Sequence, residues 1–567
     1  MPNKWKIKEK VTPDKLDFSE LHPVALNLLF QRGLDTKEKI ESFLNPDYDR
    51  DSGDPFLFSD MEKAVNRIKE AIDNQEKIVI FGDYDTDGVT SAVILKETLE
   101  ELGISPEVYI PDKKLEGYGL NLKSIGNFKK NGVKLIITVD CGISNFSEVS
   151  EAKKQGIDVI ISDHHHVPEN LPPALAIINP QTKNCCYPSH NLAGVGVAFK
   201  LVQALYKKFI PEKFDQTKWL LDLVAIGTIA DCVPLKNENR TLAKFGLLVL
   251  SKTRRVGLKE LFSVGRINID EDNYPDTRKV AFQIAPRINS AGRMNHANAA
   301  FNLLIEKNPV IARSLALEIE ASNQRRQKET DKIVEEIRIL ANNIFKDKKF
   351  IFAAGEHFPI GIAGLVAGKI AEEFHKPTAI FQKEKKESRG SFRSIPELNI
   401  IELLEKCRDL TLKYGGHAQA AGASIDNQKL EDFYHRLDSL IEKELKGKEY
   451  GPAIEIDLEI LAEDIDFELA GVLEKFEPFG EENEEPIFLT RNLVVREIKT
   501  VGNTSQHIKL FLSPSNHSPK VFEAIGFNLS EANSHLKVGD KVDIVFNLQV
   551  DNWNGNKKIQ LKLIDLK

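Results

Sequence analysis

The chain is 567 residues long, too long for one compact core when domains run to about 100–200 residues. Hydrophobic residues at 41% and charged residues at 29% fit a folded globular protein and exclude disorder as its main state. The 77 Lys and Arg against 85 Asp and Glu give a net charge of −8, so a polyanionic ligand must be met by a local basic groove or by metal ions.

Residues 1–54 form an N-terminal segment whose basic start, Met1 to Lys10, is not followed by the apolar stretch of a secretory signal. No apolar run approaches the roughly 20 residues of a membrane span. Residues 55–300 are expected to be a first α/β unit. In it Lys77-Ile78-Val79-Ile80-Phe81 reads as a strand apolar on both faces, as in a parallel sheet covered by helices on both sides. Ala92, Leu95, Leu99 and Leu102 follow at helical spacing up to Gly103. Glu107 to Ile110, Leu135 to Val139, Val159 to Ile161 and Ala176 to Ile178 are further strands. A long charged helix is predicted from about Val310 to Phe345, within a connecting segment 301–346 that bridges two bodies. A second α/β unit, 347–450, opens with the strand Phe350 to Ala353. The remainder, 451–567, alternates like strands around an Asn554-Gly555 hairpin signal, which predicts a small antiparallel barrel. The five cysteines, Cys141, Cys185, Cys186, Cys232 and Cys407, include no CxxC pair, which predicts reduced thiols in a cytoplasm.

Four stretches carry chemistry. Asp83-Tyr84-Asp85-Thr86-Asp87-Gly88 places three acids between a buried strand and a helix. Such acids repel one another unless a cation neutralises them. An EF-hand is excluded because Ile94 stands where the bidentate Glu belongs. Asp140 ends the next apolar strand, Asp163-His164-His165-His166 ends another, and Asp231 ends the apolar segment that begins at Ala225. Each alone reads as a turn or cap residue. Together they gather carboxylates and imidazole at one sheet edge without thiolates, the donor set of Mn²⁺ or Mg²⁺. Two such ions about 3.5–4 Å apart serve phosphodiester hydrolysis, with water as the nucleophile and a shared carboxylate between them, for which Asp140 is the choice.

These residues resemble a known family. Asp83 to Gly88, Asp163-His164-His165 and Gly415-Gly416-His417 are similar to the successive motifs of the DHH phosphoesterase superfamily. The match is closest to its RecJ family of single-strand-specific DNA exonucleases. Leu192 to Lys200, Gly227 to Asp231 and Arg287-Ile288-Asn289-Ser290-Ala291-Gly292-Arg293 add to the likeness, which runs from about Asp54 to the C-terminus. The resemblance implies an α/β fold: a DHH domain with a parallel sheet, a long connecting helix, a DHHA1-like substrate-binding domain and a C-terminal OB-fold β-barrel. It implies 5′→3′ degradation of single-stranded DNA to mononucleotides, in repair and recombination, with two Mn²⁺ or Mg²⁺ ions. Asp85, Asp87, Asp140, His164 and Asp231 would be the metal ligands, and His165, Asp83 and His417 the catalytic residues. Lys113, Arg287, Arg293, Ser391, Arg393, Gly415 and Gly416 would hold substrate, Ser391 and Arg393 at the 5′-terminal phosphate. A monomer is expected, with single-strand-binding protein and a RecQ-type helicase as partners.

The chain departs from the family where Lys113 replaces an Arg, where Phe358-Pro359 replaces Trp-His, and where Phe392 replaces a Gly beside Arg393. Trp553, Phe511, Lys557 and Lys558 are candidate strand contacts on the barrel. Two other readings compete. A DHH enzyme acting on short oligoribonucleotides would lack the barrel, and a non-catalytic scaffold would have lost acids from the metal set.

Overall fold

The computed structural model describes residues 3–11, 20–112, 116–294, 298–448, 450–551 and 557–567. Lys113, Trp553, the Asn554-Gly555 hairpin and the side chain of Arg293 lie outside what is described.

Strand β1 (Lys4–Ile7) pairs in parallel with a strand far along the chain, Ala453–Ile456. The helices Pro23–Gln31 and Lys37–Leu44 likewise belong to a distant body. Val24, Leu28, Leu29, Ile40 and Leu44 share one core with Phe476, Phe488 and Phe546 of the C-terminal unit.

The first α/β unit is a five-stranded parallel sheet of β2 (Lys77–Gly82), β3 (Glu107–Tyr109), β4 (Val133–Val139), β5 (Asp158–Ser162) and β6 (Ala176–Ile178), in the order β3-β2-β4-β5-β6. Alternate residues go to opposite faces: Ile78, Ile80, Leu135 and Ile137 enter one core, Val79, Phe81, Ile136 and Ile161 the other. Both faces are therefore covered, as the continuous apolar strands require. The chain passes from β2 outward to β3, then returns to the other side of β2 as β4. The crevice beyond the carboxyl ends of β2 and β4 is thus a topological switch point, where open α/β sheets bind ligands.

The connecting helix, Pro309–Asn343, has 35 residues, about 50 Å at ~1.5 Å each. Ala312, Ala316 and Ile319 are buried in the core of the first unit, and Ile333, Ile337 and Ala341 in that of the second. The second sheet comprises β7 (Ile351–Gly355), β8 (Thr378–Lys383), β9 (Glu387–Arg393), β10 (Lys413–Gly416) and β11 (Ala420–Asp426), ordered β10-β11-β9-β8-β7 with only β7 and β8 parallel.

The C-terminal unit follows β12 (Ala453–Ile456) and β13 (Leu458–Glu459). Its barrel is built from β14 (Phe488–Val501), β15 (His507–Ser513), β16 (Phe522–Gly526), β17 (Lys541–Asp551) and β18 (Lys558–Leu566), closed by pairing of β14 with β17. It is not wholly antiparallel, since β16 and β18 run parallel. Five strands in a closed ring cannot alternate direction all the way round, so one pair must run together.

A buried ion pair fastens the N-terminal segment to the first unit. Lys200 Nζ, fully buried, pairs with Glu238 and donates to Ser52 Oγ (2.9 Å), Gln203 Oε1 (2.9 Å) and Gly53 O (3.2 Å). Glu238 also accepts the Tyr187 hydroxyl and the Gly53 N–H. Removing one partner of such a pair costs about 3–5 kcal/mol. Lys200→Met should therefore lower the melting temperature by several degrees, with Glu238→Gln in the same chain recovering part of the loss. A Lys200→Met protein as stable as its parent would contradict this weight.

Candidate metal centre

The turn after β2 begins the site. Asp85 is the N-cap of helix α1 (Thr86–Glu101), its carboxylate accepting the Gly88 N–H at 3.1 Å. A Cβ on Gly88 would fall 2.6 Å from Asp83 O, so the turn closes only around glycine. Asp87, in the first turn of α1, accepts the Gly194 and Val195 N–H groups (2.7 and 2.8 Å) at the start of helix α2 (Gly194–Phe209). Asp87 thus lies against two positive helix ends, an arrangement that favours a carboxylate. Gly194 is constrained again: a Cβ there would stand 2.4 Å from Asp140 Oδ1. Asp140 follows β4 with φ +60, a left-handed conformation a non-glycine residue adopts at a cost.

At the end of β5, Asp163 faces inward. Its Oδ2 accepts the Ile143 N–H (2.9 Å), and its Oδ1 accepts the N–H of His164 (2.7 Å), the N–H of His165 (3.1 Å) and His165 Nδ1 (2.8 Å). His164 Nε2 lies 3.2 Å from Asp140 Oδ1, 3.5 Å from Asp231 Oδ2 and 3.9 Å from Asp87 Oδ2. Asp231 caps the carboxyl end of helix α3 (Leu221–Ala230). Among the described residues, ligand-capable atoms gather in three groups, each within 4.8 Å: Asp140, His164 and His165; Asp87, His164 and Asp231; Asp83, Asp85 and Asp140. Asp140 and His164 each belong to two of them. All seven residues face the switch point.

Burial, then repulsion from neighbouring acids, pushes Asp87 and Asp140 well above the usual carboxylate range. Asp231 is pushed up to about 7 by burial and by Asp85. His164 is driven down to about 4 by burial and by His165. Burial opposes both shifts in the Asp163–His165 pair, but their hydrogen bond and mutual attraction prevail, holding Asp163 below and His165 above their ordinary values. Asp140 Oδ1 and His164 Nε2 are buried without a hydrogen-bond partner. Such orphans are rare in proteins. Hard oxygen donors with one or two imidazoles fit Mn²⁺ or Mg²⁺, which would satisfy both atoms.

The other expected residues lie elsewhere. In helix α4 (Ala285–Met294), Asn289 Oδ1 accepts the Thr86 N–H at 2.9 Å, supporting the turn that carries Asp85. Arg287, expected at substrate, pairs with Glu320 (2.7 Å) and donates to the Gln283 and Gly265 carbonyls. Helix α4 meets helix Ile360–Phe374 of the second unit. There Ser391 and Arg393 lie on β9, with Arg393 Nη1 3.3 Å from Ser391 Oγ. A Cβ on Gly364 of that helix would approach both at 3.0–3.1 Å. Gly415 and Gly416 end β10, and His417 is exposed beside them, outside the three groups. Gly416, at φ +142, leaves room for Ala420 O, 2.4 Å from where its Cβ would be. Phe392 and Phe358 are buried in the cores of the second unit, so both side chains pack inward and offer no surface to a strand. On the barrel, Phe511 lies under Lys499 and Lys509, and Lys557 and Lys558 are exposed. The roles of Asp163 and Asn289 were not read from the sequence, though both sit inside its motifs.

A parallel sheet with clustered acids and imidazoles at its switch point, joined by a long helix to a second α/β unit, defines a DHH-type protein. Residues 77–228 match the DHH family N-terminal domain, 347–443 the DHHA1 domain and 456–565 the RecJ OB domain. The single-stranded-DNA-specific exonuclease RecJ of Bacillus subtilis is 39% identical over 99% of this chain and 70% of its own. That of Haemophilus influenzae is 34% identical over 96% of each. The crystal structure of RecJ in complex with Mn²⁺ from Thermus thermophilus superposes with a TM-score of 0.83 at 27% identity, covering 100% of this chain and 79% of that one. The chain belongs to the RecJ family.

Proton binding by these buried acids makes stability depend on pH. Folded Asp231 keeps its proton up to about pH 7, whereas the unfolded chain releases it near 3.8. That stabilisation is present at low pH and is lost as pH rises through about 7. With EDTA present, the melting temperature should fall between about pH 5 and about pH 8, and Mn²⁺ should abolish the fall. Identical pH slopes with and without Mn²⁺ would rule this out.

Proposed function

We propose that this chain is a metal-dependent exonuclease that hydrolyses single-stranded DNA from its 5′ end to mononucleotides, in DNA repair and recombination. The observation that carries the reading is the convergence of Asp83, Asp85, Asp87, Asp140, His164, His165 and Asp231 at the sheet's switch point, in a chain of the RecJ family. The non-catalytic reading requires a depleted acid set, and this set is full. The barrel weighs against an enzyme of short oligoribonucleotides.

In this reading Asp85, Asp87, Asp140, His164 and Asp231 hold two Mn²⁺ or Mg²⁺ ions. A Thermus thermophilus RecJ structure is described in complex with each of these ions. When bound, the ions supply positive charge that polarises the phosphodiester and acidifies water. The chain's own residues do the rest. Asp163 fixes His165 with Nδ1 turned inward, leaving Nε2 for the scissile phosphate or the leaving oxygen. Ser391 and Arg393 on β9 grip the terminal phosphate, and His417 approaches from the β10 edge. No described helix is long and apolar enough to cross a membrane. The enzyme is proposed to act as a cytoplasmic monomer on strands exposed by a helicase and coated by a single-strand-binding protein.

End-labelled single-stranded DNA, duplex DNA and RNA digested with Mn²⁺ or Mg²⁺ should give mononucleotides from the 5′ end of single-stranded DNA only. EDTA should abolish activity, and Asp140→Ala should lower it more than about 100-fold. Full activity in either case would refute the metal mechanism. Arg393→Ala should weaken binding of 5′-phosphorylated strands about tenfold or more while leaving 5′-hydroxyl strands nearly unchanged. Equal affinity of mutant and parent for phosphorylated strands would remove that role.

A further inference from the structure

The segment Glu116-Gly117-Tyr118-Gly119 is braced from both ends. Glu116 accepts the Tyr109 hydroxyl (2.6 Å) and the Asp112 N–H (2.9 Å). Asn145 exchanges two hydrogen bonds with the backbone of Leu120, both 3.2 Å. Gly117 and Gly119 have φ of +84 and +76, and a Cβ on Gly119 would fall 2.5 Å from Asn145 Oδ1. The turn therefore presents Tyr118 in one place.

There the Tyr118 hydroxyl lies 3.1 Å from His165 Nδ1 and 3.3 Å from Asp140 O, and the two rings meet edge to face at 5.6 Å. The protons can be assigned. His165 Nδ1 lies 2.8 Å from Asp163 Oδ1, a carboxylate that can only accept, so Nδ1 carries a hydrogen. That N–H is shared between Asp163 and the Tyr118 oxygen, and the Tyr118 proton goes to Asp140 O. One hydroxyl thus ties the imidazole ring to the backbone of the strained acid at the end of β4. It meets the same ring nitrogen as Asp163 but from a different part of the chain, so the ring is held by two anchors instead of one.

We infer that Tyr118 is a positioning residue that acts through its hydroxyl on His165, fixing the ring so that Nε2 faces the substrate. The inference rests on the nuclease reading above. Tyr118 as a whole is 45% exposed, so the substitution leaves the rest of the core untouched. Tyr118→Phe keeps the ring and deletes only this link.

The test is a double-mutant cycle on single-stranded DNA, with KM and Mn²⁺ affinity measured alongside kcat. Tyr118→Phe should lower kcat roughly 10-fold or more, the scale of a misplaced reacting group, with KM and Mn²⁺ affinity within about twofold of the parent. In the His165→Ala background the same substitution should cost nothing further, because the group it positions is gone. If Tyr118 serves only as a surface against which substrate stacks, Tyr118→Phe behaves as the parent and Tyr118→Ala raises KM, which overturns the inference. Additive losses in the cycle would also overturn it. A parent protein inactive on single strands would instead bring down the nuclease reading itself.

Discussion

The constraint that governs this molecule is repulsion among carboxylates held too close together and too far from water. Two unit charges 4 Å apart repel by about 4 kcal/mol even at an effective dielectric of 20, and here Asp83, Asp85, Asp87, Asp140 and Asp231 share one crevice. The fold relieves part of this with backbone dipoles. The N-termini of α1 and α2 point into the cluster, and the amides of Gly194 and Val195 end on Asp87. What remains is visible in Asp87, Asp140 and Asp231, all driven above the carboxylate range. Such a site is stable as charged groups only when cations enter it, which ties metal binding to the state of the protein.

That constraint reaches the second unit through one helix. Asn289 of α4 holds the turn from which Asp85 projects, while the same helix meets Ile360–Phe374, whose Gly364 lies against Ser391 and Arg393. The connecting helix repeats the link on a larger scale. Its two ends are buried in different cores, and between them Ser322, Asn323 and Thr330 are buried polar residues. The acidic cluster and the Ser391–Arg393 pair are thus tied to each other through packed helices, the kind of rigid support that precise placement requires.

Local signals were legible in the sequence and distant ones were not. Apolar strands ending in Asp83, Asp140 and Asp163 read directly, because a strand and its terminal turn are set by neighbouring residues. The long helix is 309–343 where its stripe placed it at about 310–345. The partner of Arg287 could not be read, since Glu320 lies a helix away and nothing in the Arg287 motif points to it. Nor could the sharing of the Pro23–Leu44 helices with the barrel core, because an amphipathic helix announces an apolar face without naming what covers it. The parallel pair in the barrel follows from closure, which depends on strand count and not on any one strand's pattern.

Asp140 and Asp163 show how much of the site is decided by donors alone. They follow adjacent strands of one sheet at equivalent positions, and both are buried. Burial pushes each upward. Asp163 accepts from the Ile143, His164 and His165 amides and from the His165 ring, and its carboxyl is held low. Asp140 Oδ1 accepts nothing, faces further acids, and its carboxyl is driven high. Environments that push two like groups apart assign them different work. The acid with its lone pairs filled is a scaffold for His165, and the acid with an open oxygen is the one left for a cation. In the motif Asp163-His164-His165, the leading Asp thus shapes the site, and the two histidines after it face inward to the cluster.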